Sequence, residues 1–205
     1  MTRSNSAVLI PVEGDLRMAV TQEYSPPPSS TAIWVVLFAV TMMFAAFSSA
    51  LIVRKGSALD WESFPLPPIL FFNTLLLVAS SFTLEVARRR ITTHLSGLKS
   101  QETSARWLYI TLFLGFLFVL GQYVAWRQLR AQGLYLATNP SSSFFYLLTA
   151  VHALHVLGGL GGLMYITHKL SNSTLRGNQL VAAARYWHFM GALWLYLLLL
   201  LWMKV

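Results

Sequence analysis

"SFFYLLTAVHALHVLGGLGGLMYIT", residues 143–167, carries no Asp, Glu, Lys or Arg and exceeds the ~20 apolar residues that a helix needs to cross a bilayer core. Its reading decides the fold, because a stretch this long and this apolar is a membrane-spanning helix rather than the core strand or helix of a water-soluble domain. Inside it stand His152 and His155, followed by Gly158, Gly159, Gly161 and Gly162. On a helix, His152, His155, Gly159 and Gly162 fall at i, i+3, i+7 and i+10, so polar and very small side chains share one stripe. Such a stripe faces protein: a polar group is costly in lipid, and a missing side chain lets another backbone come close. Gly158 and Gly162 repeat the small-xxx-small spacing of closely packed helix pairs.

The rest of the chain follows suit. Of its 205 residues 56% are hydrophobic and 11% charged, and the mean hydropathy is +0.57. Four further runs can span ~30 Å of hydrocarbon at ~1.5 Å per residue: roughly Ala32 to Val53, Ile69 to Ala87, Trp107 to Trp126 and Tyr186 to Met203. The expected fold is all-α, a polytopic bundle of five transmembrane helices over residues 32–205, preceded by a flexible tail over residues 1–31. That tail contains "YSPPPSS" (24–30) and lacks the basic start, short apolar core and cleavage site of a signal peptide. The N-terminal segment and the second and fourth loops hold ten Lys and Arg, Arg88, Arg89 and Arg90 among them, against five on the opposite side. The basic excess marks the cytoplasmic face, so the N-terminus is expected inside and the C-terminus outside. The net charge of +8 lies between apolar runs and not on an aromatic-lined polar face, so it reads as a topology signal and not as a nucleic-acid surface.

Polar side chains within the spans are the candidate functional residues: Asn73, Glu85, Gln122, His152, His155 and His188. Glu85 precedes Arg88 and Arg89 by about one turn, a spacing that forms ion pairs near the headgroups; a proton-transfer role is the competing reading. Asn73 and Gln122 are read as hydrogen-bonding glue between helices. The three histidines admit structural hydrogen bonding, a proton relay, or metal or haem ligation. If Thr167 and Arg185 mark one boundary, Met164 lies opposite His188 and His155 is ~13 Å deeper at ~1.5 Å per residue, too far for one shared ion. Ala184, His188, Gly191 and Leu195 form a second stripe, expected to meet the stripe of the fourth span. The absence of cysteine excludes disulfides, thiolate ligands and thiol catalysis. No phosphate-binding loop, nucleophile elbow or His-Glu-x-x-His motif occurs, so no self-contained active site is expected.

"NTLLLVASSFTLE" (73–85), "GQYVAWRQL" (121–129), "FFYLLTAVHALHVLGG" (144–159) and "ARYWHFMGALWLYL" (184–197) together resemble subunit III of the haem-copper oxidases. The resemblance is to the bacterial five-helix form of cytochrome c oxidase subunit III, and it extends in order over nearly everything after the tail. It implies a non-catalytic accessory subunit in the bacterial inner membrane, stabilising the catalytic subunit I of a proton-pumping terminal oxidase of aerobic respiration. Haem and copper are then expected in partner subunits and not on this chain, with subunit I as the main contact, subunit II nearby, and phospholipid bound between helix groups. His152, His155 and His188 match the histidines that in this family hold helices together by hydrogen bonds. The chain departs from the family where acids are frequent, with Val40, Ala125, Gln128 and Gly191 at those positions. Alternatives are a subunit of a quinol oxidase or nitric oxide reductase, and a free-standing proton transporter, for which no inverted repeat is visible.

Overall fold

The computed structural model describes residues 28–57, 60–95, 101–172, 174–175 and 177–204. The flexible tail expected over 1–31 lies outside the described residues, apart from residues 28–31, which are helical. Five helices follow: α1 (Pro28–Ser57), α2 (Ile69–Leu95), α3 (Gln101–Ala131), α4 (Pro140–Ser171) and α5 (Gly177–Lys204). Each is long and apolar enough to cross a membrane, and no strand occurs among the described residues. The chain is an all-α, multi-pass membrane protein. Backbone groups in lipid must find partners inside their own segment, which is why long apolar runs fold as helices whatever their β-branched content.

The helices outrun the apolar stretches that announce them. Nothing in "ARRRITTHL" breaks a helix, so α2 continues through its arginines to Leu95. At the start of α4, Pro140 occupies the first turn, where its missing N–H costs nothing. The Asn139 side chain accepts the Ser142 N–H at 2.8 Å, and Ser142 Oγ accepts the Asn139 N–H at 3.4 Å, a reciprocal cap. Beyond α3, Gly133 has a φ of +79° and the Leu134 N–H reaches back to the Leu129 carbonyl at 3.1 Å. That is the left-handed stop for which glycine is favoured.

Packing joins α2 to α3, α3 to α4, α4 to α5 and α5 back to α2, closing a four-helix ring; α1 lies outside it against α5 and α4. Buried Leu70, Leu77, Leu84 and Ile91 on α2, and Leu180, Trp187, Trp194 and Leu201 on α5, recur at the heptad spacing of left-handed helix packing. Phe38, Phe82, Phe113, Leu154 and Trp202 are turned outward, as residues in contact with lipid tails would be. Since lipid is as apolar as leucine, burial alone does not hold such helices together; small residues and interhelical hydrogen bonds decide which faces meet.

Candidate functional site

Trp187, buried to 1% exposure, joins four helices. Its ring, carried by α5, lies on backbone left bare by two glycines: a Cβ on Gly115 of α3 would fall 2.7 Å from Trp187 Cη2, and one on Gly159 of α4 would fall 3.2 Å from its Cε3. Its Nε1 donates to Ser80 Oγ on α2 at 2.9 Å. Ser80 Oγ in turn approaches the Thr111 carbonyl at 3.5 Å, and Thr83 and Thr111 hydroxyls meet at 2.9 Å, tying α2 to α3. One heptad along, Trp194 Nε1 donates to Thr74 Oγ1 at 3.0 Å. Trp126 Nε1 donates to Thr149 Oγ1 at 3.0 Å, and the Tyr186 hydroxyl to the His155 carbonyl at 3.0 Å. Indole and phenol donors on rigid arms are thus the cross-braces of the bundle, and the sequence reading passed over them in favour of the histidines beside them. The sequence carries no signal for them, because which indole rests on Gly115 or Gly159 is decided by the fold.

The polar residues singled out from the sequence are placed differently from expectation. Asn73, Gln122 and His152 are at most 1% exposed, yet their side-chain polar atoms make no hydrogen bond to any described residue. The interhelical bonds expected of them are not made among the described residues. Asn73 lies flush in a notch at Gly121, where a Cβ would come within 2.0 Å of its Oδ1. The amide thus touches α3 where its backbone is already hydrogen-bonded within the helix, so contact brings no bond. His152 is held by rings instead: it stacks on Trp194 (5.2 Å between centroids, 30°) and meets Phe118 and Phe44 edge-on. His155 Nδ1 lies 2.7 Å from the Val151 carbonyl of its own helix, and its ring meets Phe44 at 5.9 Å.

The glycines divide. Gly159 makes the close contact, but a Cβ on Gly162 would meet nothing of the chain within 4 Å, and one on Gly158 would only touch the Tyr186 hydroxyl at 4.0 Å. Among the described residues Gly162 is therefore not a close-contact position: α4 and α5 converge at Gly159, and Gly161 and Gly162 lie on the exposed side of a turn that buries Leu160 and Leu163. The second stripe also meets another partner. His188 Nε2 stands 3.9 Å from Glu85 Oε2, and a Cβ on Gly191 would lie 3.3 Å from Ser81 Oγ, so this stripe faces α2, not α4. The register differs because α4 runs on to Ser171 and α5 starts at Gly177, which sets Gly159, not the turn around Met164, against Tyr186 and Trp187. His155 and His188 are kept apart by facing α1 and α2 respectively rather than by depth.

Glu85 lies where α2 becomes basic. Its Oε1 takes Arg88 Nη2 and Arg89 Nε, both at 2.7 Å, and its Oε2 takes Arg88 Nε at 2.8 Å. The forked Arg88 contact is the geometry in which guanidinium and carboxylate bond best. Among the described residues no three His, Asp or Glu side chains gather as a metal site.

A sequence model of the family described as cytochrome c oxidase subunit III matches residues 29–204, which takes in all five helices. Among curated relatives, the chain is 35% identical over 129 residues to a probable cytochrome c oxidase subunit 3 of Mycobacterium bovis, covering 60% of this chain and 59% of that protein. It is 31% identical to the corresponding protein of Mycobacterium leprae, over 80% of this chain and 81% of the relative. It is 28% identical to cytochrome c oxidase subunit 3 of Thermostichus vulcanus, over 82% and 83%.

Proposed function

Because the chain belongs to the cytochrome c oxidase subunit III family, we propose that it serves as the non-catalytic accessory subunit of a bacterial haem-copper terminal oxidase, bound to the catalytic subunit I in the inner membrane. The observation that carries this reading is the family match across every helix from 29 to 204. The tryptophan-on-glycine packing of the interior supports it. Haem and copper would then belong to partner subunits, and electrons would never pass through this chain. In the complex its task is to support subunit I, with subunit II as a further neighbour. The Glu85, Arg88 and Arg89 cluster acts as an ion-paired anchor at the headgroups, and not as a proton carrier, since both carboxylate oxygens are already engaged. A cleft of about 220 Å³ between α2 and α5, bordered by Leu77, Val78, Gly191 and Leu195, offers room for part of a lipid acyl chain.

Gentle detergent purification of the tagged chain tests this directly. A catalytic subunit with haem absorption should come with it, and stripping that partner should leave a colourless chain. Haem retained on the chain alone, or a partner that reduces no oxygen, would overturn the assignment.

A further inference from the structure

Asn73, Gln122 and His152 lie in one cross-section of the ring. Asn73 of α2 rests in the notch of Gly121, the residue before Gln122 on α3. The bond from Trp126 to Thr149 fixes how α3 and α4 run past each other, and one turn away from it Gln122 and His152 come to the same level. The His152 ring, 6.0 Å from Phe118, confirms that level from the other side. Trp194 of α5 closes the section, stacking on His152 while it donates to Thr74, the neighbour of Asn73. All three polar residues are at most 1% exposed, and none of their side-chain nitrogens or oxygens bonds to another described residue.

Unpartnered polar atoms at this density are not what buried groups tolerate, and their chemistry specifies the missing partner. Each amide offers both N–H donors and a carbonyl acceptor, and a neutral imidazole offers one of each. A ligand serving all three must both donate and accept, and must be small enough to fit among groups at most 1% exposed, beside an imidazole already in contact with the rings of Phe44, Phe118 and Trp194. We propose that Asn73, Gln122 and His152 form an internal water site in the core of the bundle, one or more ordered waters bridging α2, α3 and α4. Water bonded to several protein groups is a structural component, nearly as good enthalpically as direct contact. The three residues glue the helices, as polar groups in membrane proteins do, but through solvent rather than directly.

X-ray radiolytic footprinting of the full chain within its purified complex reads this out, because a trapped water yields hydroxyl radical in place and oxidises the side chains beside it. Phe118 and Trp194, although buried, should be labelled well above Phe145, an equally buried ring at another level of the bundle. In the N73L/Q122L/H152F variant the labelling should fall to the Phe145 level. If that variant does not assemble, the wild-type comparison stands alone. Equal, background labelling of Phe118, Trp194 and Phe145 in the wild type would overturn the proposal, as would a high-resolution map showing the amides and the imidazole bonded directly to one another.

Discussion

Substituting alanine for Gly115 would set a Cβ 2.7 Å from the Trp187 ring, closer than packed atoms allow. Overpacking of this kind costs about 1–3 kcal/mol, more than the ~1 kcal/mol that alanine gains over glycine in a helix. Gly115→Ala should therefore destabilise the bundle, whereas Gly162→Ala, which meets nothing within the chain, should leave it unchanged or slightly stabilised. Unfolding midpoints of the purified variants in mixed detergent check the order, and equal shifts at both sites would contradict the packing described. At the fourth span, Gly159→Leu should weaken the chain and its attachment more than His155→Phe. The imidazole is hydrogen-bonded within its own helix, the bond from Tyr186 goes to the backbone carbonyl that phenylalanine would keep, and single polar interactions between membrane helices average about 0.6 kcal/mol. At the residue scale the stripe of His152, His155, Gly159 and Gly162 was legible as a spacing, although only Gly159 of its two glycines makes a close contact among the described residues. Gly121 and Gly115 were not legible, because only the fold shows that Asn73 and Trp187 come to rest on them.

The element scale turns on how helices begin and on what faces them. Asn139→Ala removes the acceptor that caps α4 and should cost about 0.5–2 kcal/mol, with the hydrogen bonds of the first turn opening first. Hydrogen exchange of the amides just after Pro140 is the measurement, and protection unchanged from the wild type would show that the cap does not hold the helix end. All five helices were visible as apolar runs, but their ends were not, since hydropathy falls at the headgroups while nothing yet stops the helix. That hidden length shifted the α4 to α5 register, while the rotation of α5 turns the His188 stripe toward α2. Sequence periodicity assigns residues to a face; it does not say which neighbour the face meets.

For the whole molecule, we propose from the excess of Lys and Arg on one side of the five spans that the C-terminus lies outside. A reporter fused after Val205 should accordingly be active only if it works outside the cytoplasm, and a cytoplasmic signal would reverse the proposed orientation. Fold class was legible because five long apolar runs leave few other ways to satisfy a backbone in lipid, and the family because four motifs recur in order. The internal partners of the polar residues were not, since hydrogen bonding depends on helix rotation, which hydropathy does not encode. The central claim is that this chain supports an oxygen-reducing partner without sharing its chemistry. Its most direct test is oxygen consumption by the purified oxidase before and after removal of this chain. The initial rate and haem spectrum should be largely kept while activity decays sooner during turnover, with the lifetime restored when the chain is added back; an immediate collapse of the initial rate, or loss of haem with the chain, would contradict the account.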